Sequence, residues 1–297
     1  MRSSTSNYSI NLNLDYVNLT LYLVQAELQK LETFRDMDEE LLGYIKRVAN
    51  LHIVNCHPRI FIGIPSNMMH LFFCGGRCYY KLSNCIPSNM MQFFSHLESL
   101  RVEECECLEE IFESNDSMVE YELSIFILRY LPNLKHIWKS PGQILGFQQL
   151  GYIDIKQCND LKYVFPDVSI ATSLPKLWKI DVYECKKIEK IIGNNYNHVE
   201  TQQQKAKKII FPKLNQITLG KLPSLKCFSQ SSFPCYVEMP KCEWISVKDV
   251  PKMKTFWYEG ILYTPRLRGI FVENIRFDKD EDVNEVIQQT INDCVLV

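Results

Sequence analysis

At 297 residues and 46% hydrophobic content, the chain can build one large core or two ordinary domains. Its net charge of −2 supplies no bulk attraction to nucleic acid or to an anionic membrane. Twelve cysteines without a secretory pattern in MRSSTSNYSINLNLDY read as reduced cytosolic thiols, and no apolar run approaches the ~20 residues that span a bilayer.

Residues 1–47 contain INLNLDYVNLTLYL, whose alternation suits degenerate N-terminal repeats or a cap. In residues 48–94, Val48, Leu51, Ile53 and Cys56 open a pattern that the next residues, HPRIFI, fit badly. The interval from Val48 to Leu97 leaves room for one further degenerate coil, and IPSNMM occurs twice within it. Cys74, Cys78 and Cys85, with His57 and His70 nearby, raise an alternative reading as a zinc-binding module. They lack a second paired motif, so packing is the expected role.

From Leu97 onward one spacing recurs. It runs Leu97, Leu100, Val102, Cys105, Leu108, Ile111, and then Leu123, Phe126, Leu128, Leu131, Leu134, Ile137. Copies follow from Leu150, Leu177, Leu214 and Cys242, and a seventh (Leu267, Ile270, Val272, Ile275) stops short. The mean step is about 28 residues, inside the range of leucine-rich repeats. In FPKLNQITLGKLPSLKCF, Ile217 and Leu219 alternate as a strand does, after which Leu222, Leu225 and Phe228 step by three. One such coil cannot bury its own apolar face, but stacked coils merge theirs into a long core. The bulkier return segments curve the stack, with the strands on the concave side. Proline precedes four strands, in LPKL, FPKL, MPKC and TPRL, where it favours an extended approach.

The expected fold is therefore an α/β repeat, a curved leucine-rich-repeat solenoid. It has a concave parallel β-sheet, an irregular or short helical convex side, and a C-terminal capping helix. Repeats occupy 95–276 with a polar insertion at 193–208, and a capping segment fills 277–297. Asp282 and Glu285 form a helix-start pattern ahead of Val286, Ile287 and Ile291. Cys56, Cys105, Cys158 and Cys185 share a repeat position with Leu131, Leu222, Val250 and Ile275, which marks a small buried slot rather than a metal site.

LESLRVEECECLEEIFE, LPNLKHIWK, LPKLWKIDVYECKKIEKII and FPKLNQITLGKLPSLKCF resemble the C-terminal leucine-rich repeats of plant coiled-coil NB-LRR disease-resistance proteins. The tail DEDVNEVIQQTI resembles the element that ends those chains. The resemblance implies a non-catalytic, cytoplasmic recognition module of plant defense, a truncated resistance protein without its nucleotide-binding domain. No G-x-x-x-x-G-K-[ST] phosphate loop occurs in the sequence. The implied partner is a pathogen effector, a host guarded protein or a nucleotide-binding partner domain. An inert remnant or a competitive decoy of a full-length relative is the alternative.

No G-x-S-x-G, H-E-x-x-H or Gly-rich phosphate motif suggests an enzyme, and no cofactor is expected. The acidic EECECLEE reads as a solvated rim. What remains is the concave face. Its outward positions include Arg101, Ile127, Arg129, Tyr152, Asp154, Lys156, Asp181, Tyr183, Trp244, Lys248 and Phe271, a mixture of aromatic and charged groups suited to protein binding. Trp244 is the leading anchor candidate, unless it packs against a neighbouring side chain and is structural.

Overall fold

The computed structural model describes residues 18–22, 50–54, 84–86 and 97–295, apart from 107, 113–120, 139–146, 194–206 and 279–280. In chain order the elements begin with β1 (Asn18–Tyr22), β2 (Asn50–Val54), β3 (Asn84–Ile86), β4 (Ser99–Glu103), β5 (Glu110–Phe112) and β6 (Ile125–Arg129). Next come β7 (Tyr152–Lys156), α1 (Val168–Thr172), β8 (Lys179–Tyr183), β9 (Lys190–Ile192), β10 (Lys207–Ile210) and β11 (Gln216–Gly220). The chain ends with β12 (Cys227–Glu238), β13 (Trp244–Lys248), β14 (Trp257–Tyr263), β15 (Gly269–Val272), β16 (Ile275–Phe277) and α2 (Val283–Val295).

One strand from every coil joins a sheet of order β1-β2-β4-β6-β7-β8-β11-β13-β15-β16, parallel until β16 turns back. The seven copies read in the sequence supply β4, β6, β7, β8, β11, β13 and β15 in unbroken register. Leu100, Phe126, Ile153, Ile180, Ile217, Ile245 and Ile270 form one inward column, and each is at most 1% exposed. A slip of one residue would turn that whole column to solvent, so the buried face holds the register.

After β4, β6, β7, β8, β11 and β13 the chain takes a left-handed residue. Glu104, Tyr130, Gln157, Glu184, Lys221 and Asp249 have φ between 52° and 57°, a conformation that costs an L-residue about 1–2 kcal/mol. The ladder offsets this cost. The backbone N–H of Glu104, Tyr130, Gln157, Glu184 and Lys221 each donates to the carbonyl ending the next strand, at 2.8–3.0 Å. Cys105, Cys158 and Cys185 follow that turn, fully buried, and each thiol lies 3.2–3.7 Å from the carbonyl oxygen two residues back. The slot they fill is thus apolar in packing but has one carbonyl within reach of a thiol.

The return side contains more strand than expected. In a second parallel sheet β12 pairs with β10, β14 and β9; β3 and β5 form a separate two-stranded sheet, and α1 is a short helix. Its interior is aromatic, with Trp138 stacked on Phe165 at 5.5 Å and Phe228 on Phe256 at 4.8 Å. Residues 207 and 208 of the expected insertion belong to β10, while 194–206 lie outside the described residues.

In the long sheet β2 pairs directly with β4, while β3 pairs with β5 apart from it; the rest of 55–96 lies outside the described residues. One expectation is corrected. Ile275 does not fill the small buried slot, being 53% exposed. Glu273 and Asn274 both take positive φ, at 49° and 72°, so the seventh strand reverses into β16 through a two-residue hairpin turn.

α2 covers that end. Asp282 Oδ1 accepts from the N–H groups of Asn284 (2.8 Å) and Glu285 (3.1 Å), the helix-start contact read from the sequence. Val283, Val286, Ile287 and Ile291 enter the core. Asn284 adds a contact of its own. In earlier coils a carbonyl accepts two consecutive return-side N–H groups, as Ile191 does from Val164 and Phe165, and Phe256 from Phe228 and Ser229. At the end of the sixth copy, Asn284 Oδ1 takes that role for Phe256 (3.0 Å) and Trp257 (2.9 Å).

Candidate functional site

Strand alternation sends every second side chain of the long sheet outward, and in-register pairing places those side chains in three columns. The first is Ser99, Ile125, Tyr152, Lys179, Gln216, Trp244 and Gly269. The second is Arg101, Ile127, Asp154, Asp181, Thr218, Ser246 and Phe271. The third is Glu103, Arg129, Lys156, Tyr183, Gly220 and Lys248. All eleven expected face residues therefore share one surface, although they divide into three regions.

The first region is an ion-pair chain. Arg101 Nη2 lies 2.7 Å from Glu103 Oε1, and Arg129 Nη1 lies 3.9 Å from the same oxygen. Arg129 then turns its fork to Asp154 Oδ2, with Nε at 3.1 Å. Asp154 and Asp181 face each other on adjacent strands, where like charges repel. Arg129 neutralises the first, and Lys179 Nζ, 2.9 Å away, neutralises the second.

In the middle region, the Tyr152 hydroxyl donates to Asp181 Oδ2 at 2.9 Å, and the Lys179 ammonium sits 5.1 Å from the centre of the Tyr152 ring. Burial, and then the bond to Asp181, push the Tyr152 phenol well above its ordinary range, so it keeps the proton it donates. Asp181 Oδ1 and Arg101 Nε are buried and have no hydrogen-bond partner among the described residues. At the strand ends, Glu184 lies between Lys156 (3.6 Å) and Lys221 (2.9 Å). Hydrogen bonds from Lys221 and Gln157 hold its carboxyl down at about 2. The Tyr183 ring lies across the backbone of Gly220, where an added Cβ would meet ring carbon Cε2 at 2.2 Å.

The third region is aromatic. Trp244 packs against Phe271 with ring centres 5.7 Å apart, and the Arg276 guanidinium of β16 sits 5.8 Å from the Trp244 ring. Gly269 leaves space beside it, with Trp244 Cζ3 only 3.2 Å from where a Cβ would stand. Trp244 is thus half-buried among neighbours rather than free-standing. Lys248 Nζ donates to Asn274 Oδ1 at 2.9 Å.

Trp178 was not foreseen. It is 46% exposed, with its ring over Gly151 and 6.0 Å from Tyr152. The available signal was a tryptophan at the repeat position where other copies hold Gly151, Asn215, Glu243 and Arg268. Lys179, the partner of Asp181, was likewise passed over because lysine on an outward strand position is unremarkable. Among the described residues, no cluster of three or more His, Cys, Asp or Glu could hold a metal ion. Cys74, Cys78, His57 and His70 lie outside those residues, and of Cys85 only its place on β3 is described. No described helix is long and apolar enough to cross a membrane.

Comparison with known proteins agrees with the repeat reading. Residues 76–186 match the model of the family "Plant disease resistance protein RPS2-like, leucine-rich repeats". A probable disease resistance protein of Arabidopsis thaliana, At4g27220, is 27% identical over 190 residues, which is 52% of this chain and 20% of that relative. The chain therefore spans about a fifth of the length of the curated relative it matches.

Proposed function

Starting from a leucine-rich-repeat region of the plant disease-resistance type, we propose that the chain is a non-catalytic recognition module of plant defense that binds a protein on the outward face of its long sheet. The ligand is a pathogen effector, a host guarded protein or a nucleotide-binding partner domain met in the cytoplasm. The observation that carries this reading is the outward face itself. Tyr152, Tyr183, Trp244 and Phe271 stand half-exposed on a rigid parallel ladder, beside charged groups already held in place by their neighbours. Side chains ordered before binding lose little freedom on contact, and aromatic anchors beside arginine are what protein interfaces favour.

Two variants test the reading in a pull-down with each candidate partner class, alongside the melting temperature. Trp244→Ala removes an anchor, and Ser246→Arg obstructs the face without deleting a contact. A partner that the wild type holds and both variants lose, with Ser246→Arg melting as wild type does, supports the proposal. Retention by both variants overturns it.

A further inference from the structure

A second surface follows from the proline turns that precede the strands. In Leu174–Leu177, Met239–Cys242 and Thr264–Leu267, the N–H of the fourth residue donates to the carbonyl of the first, at 3.0–3.2 Å. Proline holds the second position, which its fixed φ suits. The third position is Lys176, Lys241 or Arg266, and Phe211–Leu214 repeats the pattern with Lys213. A residue there cannot turn inward, because the next one (Leu177, Leu214, Cys242 or Leu267) enters the core. All four basic side chains are exposed.

Stacking aligns them. The N–H groups of Asn215, Glu243 and Arg268 donate to the carbonyls of Trp178, Asn215 and Glu243 in turn, at 2.8–2.9 Å, so the four turns are consecutive rungs. Lys176 donates to Gln149 of the coil before. The ammonium and guanidinium groups of Lys213, Lys241 and Arg266 have no ion pair or hydrogen bond among the described residues. The acidic group nearby, Glu243, is already paired with Arg268 at 3.0 Å. The wider region agrees in sign: residues 213–268 hold nine Lys or Arg against four Asp or Glu.

We infer that this file of Lys176, Lys213, Lys241 and Arg266 docks an acidic α-helix of another protein. The spacing selects a helix. Coils repeat about every 4.8 Å, so four rungs span about 14 Å. Carboxylates at i, i+3, i+7 and i+10 share one helix face and span about 15 Å at 1.5 Å per residue. An extended acidic segment presents same-side residues every ~6.7 Å and drifts out of step with each coil. A long polyanion lying along the stack is disfavoured as well, because the equivalent positions in the two preceding coils are Gln149 and Glu122. This surface is independent of the outward face and stands whether or not that face binds.

The test is fluorescence anisotropy of the whole chain with a labelled, alanine-based helical peptide carrying Glu at i, i+3, i+7 and i+10. Reversing the file in Lys213→Glu/Lys241→Glu/Arg266→Glu is expected to weaken binding by about tenfold or more. Reversing three exposed lysines elsewhere that have no ion pair among the described residues, in Lys186→Glu/Lys252→Glu/Lys254→Glu, is expected to change it less than about twofold. Both triple variants alter exposed side chains, and matching melting curves establish that they fold. Equal loss in the two variants would mean that only net charge matters and overturns the inference. So does equal binding of a peptide with the same Glu count scattered around the helix, equal binding of single-stranded oligo-dT, or absence of peptide binding.

Discussion

Asn284 is the sharpest test of how the stack ends. The return segments at Ile111, at Val164 and Phe165, and at Phe228 and Ser229 each receive a carbonyl from the following coil; at Phe256 and Trp257 a side-chain amide takes that place. The residues it serves, Phe256 and Trp257, are 0% and 1% exposed, so water does not readily replace a lost acceptor. Asn284→Ala leaves two buried N–H groups unpaired and takes an acceptor from the Thr255 hydroxyl, 2.8 Å away. At about 1–3 kcal/mol for each orphaned donor, and with Asn284 itself half-buried, the expected cost is about 2–4 kcal/mol. For a domain of this size that corresponds to a fall in melting temperature of roughly 5–12 °C. Asn284→Asp keeps an oxygen in place and is expected to retain most of the stability.

The damage should also be local. A solenoid is held by contacts between neighbouring coils, so the final coil opens before the middle of the stack. Hydrogen exchange reads this directly. Amides of β14 and β15 should lose protection in Asn284→Ala while those of β7 and β8 keep theirs. Equal protection in the Ala and Asp variants would refute the idea that the oxygen matters.

Three further outcomes are expected. Leu219→Asp puts a charge where the side chain is wholly buried, losing ~1.5–3 kcal/mol of burial and adding uncompensated desolvation; denaturant melting should show a loss above ~3 kcal/mol. Gly220→Ala should cost about 1–3 kcal/mol by displacing the Tyr183 ring, yet cost almost nothing in a Tyr183→Ala background, as a double-mutant cycle will read. Glu184 has its carboxyl pKa lowered to about 2 from an ordinary ~4.3, so its stabilisation is present above the higher value and disappears as pH falls through the lower. Melting temperatures of wild type and Glu184→Gln should therefore converge towards pH ~2 and separate above ~4.5, and parallel curves would count against the assignment.

The inward columns were legible because burial enforces them: Leu, Ile and Val recur wherever a side chain faces the core. The left-handed turn after each strand was not. Its occupants, Glu104, Tyr130, Gln157, Glu184, Lys221 and Asp249, share no chemistry and include no glycine. The ladder, rather than the residue, holds that conformation. The return-side sheet was hidden for a different reason. Pro234 falls within β12 and argues against a strand, and the structure accommodates it through a register shift between Gln230 and Cys235. Of the outward face, the pattern gave the residues but not their partners. That Arg276 comes back over Trp244 depends on a hairpin whose turn is Glu-Asn, without the usual Asn-Gly signal.

The outward face can vary at little cost to the fold, and the reason is energetic. Its ion pairs are partly exposed, with Arg101, Arg129 and Lys156 between 32% and 37% accessible, and such pairs contribute at most ~1 kcal/mol each. The inward residues one step along each strand lose several times that when replaced. A stack of this kind therefore fixes where an outward side chain stands while leaving its identity nearly free. The C-terminal region is less free: Trp244 is bound to Phe271, Gly269 and Arg276, so changing one of them disturbs the others. Substitution on this face is consequently cheapest for the fold in the coils from β4 to β11, while the aromatic group beside the hairpin is the part most constrained by its neighbours.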